Sequence, residues 1–243
     1  MTLTPETLDS FAHTYYLNDQ IEDVDIEEMA QRESIASILE TLDTTRRVLE
    51  MGYGTGCITT ELLRAGLQVE VVEGSPVLAD VARRRHPGLV VHTDLFETFD
   101  PDDRYDAVLA LHVLEHVDDP VGLAGHIRGW LHPGGVLTAV TPNRESLHRR
   151  LAVLMGIQPE LDSLSERDRL VGHQRVYGID TLRHDLAAAG FDVVGEFGYF
   201  LKMLPNAMML ELPTALLAAC NRISSEMPAS MLANIGVTAR RPL

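Results

Sequence analysis

The sequence predicts an α/β chain built on a doubly wound, mostly parallel sheet with helices on both faces. Three observations carry that expectation. From residue 46 onward, short apolar runs alternate with segments of helical spacing. The runs are almost continuously apolar, as expected of strands buried on both faces. The first of them leads into Glu50-Met51-Gly52-Tyr53-Gly54-Thr55-Gly56, a glycine turn that opens a helix.

The elements follow in order. Residues 1–45 are acidic and read as helical. Ile21, Val24, Ile26 and Met29 are interleaved with acids, and Ile35, Ile38, Leu39 and Leu42 recur at helical spacing. In this segment Phe11, Tyr15 and Tyr16 read either as core packing or as a lid over the glycine turn. Strands are expected at 48–51, 68–73, 89–93, 105–111 and 136–141, separated by helices at 57–65, 76–85 and 121–131. The first of these helices stops at Gly66, a natural helix-ending glycine. After Pro142-Asn143 the alternation breaks. Residues 144–170 read as a helical insertion with Leu147, Leu151, Leu154 and Met155 on one stripe. A polar and aromatic stretch, 172–178, precedes a helix at 179–189 that Gly190 ends. Residues 191–197 and 235–240 read as a closing antiparallel pair. Between them Asn206-Ala207-Met208-Met209-Leu210-Glu211-Leu212 begins a Met-rich apolar region, suited to core or to a homodimer surface. No repeat or linker divides the chain, so a single domain of 243 residues is expected.

Composition narrows the classes of function. The formal net charge of −16 repels phosphate backbones and anionic lipid, which argues against a nucleic-acid or membrane partner. Two cysteines, Cys57 and Cys220, fit a reducing, cytoplasmic compartment better than a disulfide framework. The N-terminus lacks the basic and apolar regions of a signal peptide, and no apolar run reaches membrane-spanning length.

The glycine turn admits close approach of a ligand to backbone, because glycine has no Cβ. Its spacing is G-x-G-x-G, and Cys57 stands where a dinucleotide fingerprint needs its third glycine. No Lys-Ser/Thr pair follows, so it is not a P-loop. A nucleoside-bearing ligand without a pyrophosphate is the remaining fit, and hydride transfer is disfavoured. Ligands of such sheets bind at the carboxyl ends of strands. Glu73 closes the second strand and suits a ribose diol, Asp94 closes the third and suits an exocyclic adenine amine, and Leu95 or Phe96 suits packing on the ring. After the fourth strand, His112-Val113-Leu114-Glu115-His116 places two histidines four apart with a glutamate between. If helical, all three share a face. They read as residues bordering the ligand, as an acid–base pair, or as a metal-binding trio.

Together these ordered motifs resemble the class I S-adenosylmethionine-dependent methyltransferases, over about 48–143. Glu50-x-Gly52-x-Gly54-x-Gly56 is similar to the family's first motif, Glu73 to its ribose-binding acid, and Asp94-Leu95 to its adenine-binding pair. The run from His112 to Pro120 looks like the post-fourth-strand motif of the small-molecule branch that includes ubiquinone-type and sugar methyltransferases. Leu131-His132-Pro133-Gly134-Gly135 is similar to the turn before the family's fifth strand. Tyr53 departs from the pattern, which more often has a small residue there.

The resemblance implies a Rossmann-like sheet of seven strands with the last antiparallel. It implies S-adenosylmethionine as cofactor, S-adenosylhomocysteine as product and a small-molecule acceptor methylated on oxygen, nitrogen or carbon. The cofactor is then expected against Glu50, Gly52, Tyr53, Gly54, Gly56, Glu73, Gly74, Ser75, Asp94, Leu95, Leu111 and His112. Residues 1–45 become a helical lid, 46–143 the cofactor-binding core, 144–230 the substrate-side insertion with the sixth strand, and 231–243 the last strand. Gly172-His173-x-Arg175-Val176-Tyr177 looks like a segment of bacterial methyltransferases from sugar and natural-product gene clusters. Tyr15, Tyr16, His116, Asn143, His173, Arg175 and Tyr177 are the expected acceptor-facing residues, with His116 or His173 as general base. A metal-assisted variant through His112, Glu115 and His116, and a catalytically silent cofactor-binding subunit, are the alternatives.

Overall fold

A computed structural model describes residues 4–18, 24–42 and 47–243. Ile21, the side chain of Val24 and the first residue of the expected core, Arg46, lie outside that description.

Among the described residues, two helical stretches precede the sheet. α1 (Pro5–Phe11) continues into a π-helical turn at Ala12–Tyr16, and α2 (Val24–Thr41) follows. The alternating core is then β1 (Arg47–Met51), α3 (Cys57–Arg64), β2 (Gln68–Val72), α4 (Pro76–Arg85), β3 (Val90–His92), β4 (Tyr105–Leu111), α5 (Pro120–Trp130) and β5 (Leu131–Pro142). Beyond it run α6 (Leu147–Leu154), α7 (Glu166–Leu170), α8 (Ile179–Ala188), β6 (Asp192–Tyr199), α9 (Asn206–Met209), α10 (Thr214–Ser224) and β7 (Asn234–Arg240).

The seven strands lie in the order β3-β2-β1-β4-β5-β7-β6. β7 runs antiparallel to both of its neighbours, and the other pairings are parallel. This is a Rossmann-like doubly wound sheet. The chain builds outward from β1 to β3 on one side and from β4 on the other, so the winding direction reverses between β1 and β4. Beyond the carboxyl ends of those two strands a crevice opens for a ligand.

Alternate residues of each strand serve opposite faces. Leu49, Val108 and Leu137 join Leu123 and Ile127 of α5 and Leu182 and Leu186 of α8 in one core. Val48, Val69 and Leu109 point the other way, onto Ile38 of α2 and Ile58 and Leu62 of α3. Glu50 shares the Val48 face and is therefore carried toward α3. The N-terminal stripe thus packs as core through Ile26, Ile38 and Leu42, all buried. Met209 is buried with Ile26, Tyr199 and Leu217, whereas Met208 is half exposed.

Three local expectations are corrected. The fifth strand begins at Leu131, earlier than expected, because Leu131 already pairs with Tyr105 before a register shift. The insertion is not one helical stretch. α6 and α7 are separated by turns, and Leu154 and Met155 at the end of the expected stripe are exposed. Residues 112–116 form a turn, not a helix. His112 has φ +57°, outside helical geometry. The next helix starts only at α5, where Asp119 accepts from the Gly122 amide and Pro120 takes the first turn.

Candidate active site

The glycine turn connects β1 to α3. Gly52, Gly54 and Gly56 all have positive φ (79°, 53° and 73°), a region that side chains strain to adopt. A Cβ on Gly56 would lie 2.3 Å from the Tyr53 hydroxyl, so any side chain there must also displace the Tyr53 ring. The Tyr53 ring itself turns away from the crevice and packs with Val71 and Ala82, which explains how a large residue is tolerated.

Glu73 follows β2 and is buried. Its two oxygens accept from the Tyr53 amide at 2.8 Å and the Ser75 amide at 2.7 Å. The carboxylate is thereby fixed between the glycine turn and the start of α4, with lone pairs left for a ligand. Glu50, also buried, accepts from the Thr59 hydroxyl at 2.6 Å. Burial raises the Glu50 carboxyl to about 8, against the Thr59 hydrogen bond and with help from the Glu73 charge. Burial likewise pushes Glu73 up, opposed by the Ser75 and Tyr53 amides. Asp94 is exposed in the loop after β3, and Leu95 beside it flanks Gly74. A Cβ on Gly74 would come within 2.5 Å of Leu8 and 3.3 Å of Leu95.

The N-terminal stretch lies over this region. Asp9 accepts from the Ser75 hydroxyl at 2.5 Å and the Val77 amide at 3.0 Å, adding a second cap to α4. Tyr16 approaches Gly54, where a Cβ would lie 3.8 Å from the ring. Tyr15 is buried, accepts a hydrogen bond from Arg167 at 2.8 Å and carries that guanidinium on its ring face.

Beyond β4 the turn gathers charged groups around Glu115, which is fully buried. His112 Nδ1 donates to Glu115 Oε1 at 3.2 Å, and its Nε2 accepts from the Tyr199 hydroxyl at 3.1 Å. The His116 and His173 rings meet edge to face, centroids 4.7 Å apart. His173 Nδ1 donates to Asp168 Oδ1 at 3.1 Å, and Asp168 is ion-paired with the buried Arg149 at 2.5 Å. Burial pushes Glu115 up, but the His112 hydrogen bond and the three nearby histidines outweigh it, and the net shift is downward. Burial lowers the His116 imidazole, with Glu115 opposing. Asp168 is held far below the usual carboxylate range: burial raises it, but the His173 hydrogen bond, the Arg149 charge and Ser165 prevail.

Of the expected acceptor-side residues, His116 and His173 are brought together. Three others are committed to scaffold. Arg175 donates to the carbonyls of Leu114, Val117 and Asp118, pinning the turn that carries His116. The Asn143 amide donates to Ser230 and Leu232 carbonyls, and its oxygen accepts from Glu145 N. The Tyr177 hydroxyl donates to Asp185 at 2.9 Å. Leu111 ends β4 and packs into the core on its α2 side. The expected trio His112, Glu115 and His116 is replaced by Glu115, His116 and His173, whose donor atoms lie within 4.8 Å of one another. Asp168, Arg149, Tyr199 and Asp9 were not singled out from the sequence. Only Asp168 carried a signal, as the third residue after Ser165 in a capping box. A cleft of about 360 Å³ lies between Leu95 and Glu97 on one side and His116, the start of α5 and Gln174 on the other.

A family model described as a methyltransferase domain matches residues 25–196. A ubiquinone biosynthesis O-methyltransferase of Paramagnetospirillum magneticum is 33% identical over 111 residues, covering 44% of this chain and 45% of that protein. The match thus spans about half the length of these curated relatives. Two solved structures share the fold. The Burkholderia thailandensis 1,6-didemethyltoxoflavin-N1-methyltransferase, bound to 1,6-didemethyltoxoflavin and S-adenosylhomocysteine, is 20% identical with a TM-score of 0.64, over 100% of this chain and 92% of its own. The N-methyltransferase NodS of Bradyrhizobium japonicum, bound to S-adenosylhomocysteine, is 15% identical with a TM-score of 0.62, over 98% and 99%.

Proposed function

The chain belongs to the methyltransferase-domain family, and from that premise we propose that it transfers a methyl group from S-adenosylmethionine to a small-molecule acceptor. The observation that carries the reading is the pair of buried acids at the glycine turn. Burial raises both; the Glu73 charge adds to the rise of Glu50, and the Asp9 charge to that of Glu73. Buried acids whose charged form is disfavoured gain from a cationic ligand that favours it. A sulfonium-bearing nucleoside answers that need, and a pyrophosphate dinucleotide opposes it. Gly52 and Gly54 keep the wall free of Cβ atoms, and where a Cβ would stand the nearest atoms are 3.9 and 3.8 Å away, so the residues fit the cofactor.

Bound there, S-adenosylmethionine supplies an activated methyl group. Glu73 would accept from the ribose diol, and Asp94 with Leu95 would take the adenine edge. Glu50 would offset the cofactor's positive charge, and Leu8 and Tyr16 would shield the site from water as a lid. The acceptor enters by the cleft bordered by Leu95, His116 and Gln174. Its proton passes to the histidine pair. Asp168 holds the proton of His173 on Nδ1, which leaves Nε2 free as base, and burial keeps His116 neutral. Positioning of the acceptor against the methyl group supplies the rest of the rate. The finer reading of the acceptor is a sugar or a natural-product scaffold, supported by the His173 segment. The net charge of −16 supports a small molecule over nucleic acid.

Turnover of labelled S-adenosylmethionine over a panel of phenols, sugars and amines tests this. His116→Ala or His173→Ala is expected to lower kcat by roughly 10²- to 10⁴-fold while cofactor affinity is unchanged. Wild-type turnover in both variants would overturn the base assignment.

A further inference from the structure

Glu115 is more heavily supported than a residue bordering a cofactor requires. It is fully buried, its Oε1 accepts from His112, and its Oε2 is buried with no hydrogen-bond partner. A buried carboxylate oxygen left bare is costly. Around it stand two imidazoles, those of His116 and His173, with all three donor atoms within 4.8 Å. We infer that Glu115 Oε2, His116 and His173 form a binding site for a divalent transition-metal cation.

The surroundings are those of a metal site. His173 donates its Nδ1 proton to Asp168, so Nε2 carries the lone pair, and Asp168 is in turn fixed by Arg149 and the Ser165 amide. A carboxylate behind a ligating histidine sets its tautomer and orientation. His112 and Tyr199 do the same for the glutamate. Donors bonded at about 2.0–2.2 Å stay within roughly 4.4 Å of one another, so side-chain shifts of a few tenths of an ångström close the observed 4.8 Å. Two imidazoles and one carboxylate favour zinc, manganese, iron or cobalt over calcium or magnesium. One of the donors, His116, lines the cleft, and three protein donors leave a coordination position open. An oxygen held there becomes more acidic. Resting on the proposed function, this makes the preferred acceptor a hydroxyl. A cation and a free histidine base are then alternative ways to remove its proton.

The test is metal binding by the full chain after chelator treatment, using Zn²⁺ by calorimetry and Co²⁺ by its visible absorption. One equivalent per chain is expected. Glu115→Gln and His173→Ala should each weaken it at least 100-fold, Asp168→Asn by about 10- to 100-fold, and the surface control His184→Ala not at all. No stoichiometric binding, or binding that survives both Glu115→Gln and His173→Ala, overturns the inference. If Glu115→Gln does not fold, His173→Ala and Asp168→Asn decide it. S-adenosylmethionine is titrated into the same samples. Cofactor binding without a metal site defeats this inference alone, and a metal site without cofactor binding defeats the proposed function alone.

Discussion

Glu50 holds its proton to about 8 in the fold, against an ordinary value near 4.5. Between those values the native state binds more protons than the unfolded chain, so this group's contribution to stability falls as pH rises from about 4.5 to 8. Glu50→Gln removes that loss and can still accept from Thr59. Thermal melts should show the variant more stable than wild type above pH 8 and level with it in acid. S-adenosylmethionine should raise the wild-type melting temperature more than the variant's. Equal pH profiles for the two proteins would mean that Glu50 is not the strained acid. At this scale the sequence was legible where backbone geometry demands a residue type. Gly52, Gly54 and Glu73 sit at strand ends, and alternation alone locates strand ends. Arg175, Asn143 and Tyr177 were expected on the acceptor side, and their polar groups serve loop carbonyls and a helix carboxylate. Which carbonyls a loop leaves unpaired is a property of the folded path and has no local pattern.

Among elements, the connection from β1 to α3 is the most constrained. Gly56 and Gly66 both have positive φ, +73° and +81°, but a Cβ at Gly66 meets open space while one at Gly56 meets Tyr53. Gly66→Ala is therefore expected to cost only the left-handed strain, about 1–2 kcal/mol. Gly56→Ala should cost more and also weaken cofactor binding, because Tyr53 must shift and its amide holds Glu73. Urea midpoints for the two variants compare these directly, and equal losses would show that the Tyr53 contact is unimportant. The strands of the core were readable because buried parallel strands are apolar runs. The segment after β4 was not. Its histidines have helical spacing, yet Asp119 and Pro120 start the helix later and leave 112–116 as a turn. The spacing of His112 and His116 therefore misled. His173 enters the cluster instead, because Gln174 and Arg175 strap its segment onto the turn: Gln174 N donates to Glu115 O at 2.8 Å, and Arg175 donates to the Leu114 carbonyl.

Across the whole molecule, the strand order puts two differently charged regions beside each other. β1 and β4 are hydrogen-bonded neighbours at the point where the winding reverses. One carries the glycine turn with its buried acids, the other the histidine cluster. N-terminal residues and the insertion meet above them through Tyr15 and Arg167. That meeting joins residues 152 apart in the chain and could not be read from either segment alone. The acidic cradle beside the histidines is the basis for methyl donor on one side and acceptor on the other. Calorimetric titration of S-adenosylmethionine into wild type and Glu73→Ala tests it most directly. Charge-assisted hydrogen bonds are worth about 1.5–3 kcal/mol each, so saturable binding to wild type and a loss of roughly 10- to 100-fold or more in the variant are expected. No binding to wild type, or equal affinity in both proteins, would contradict the account.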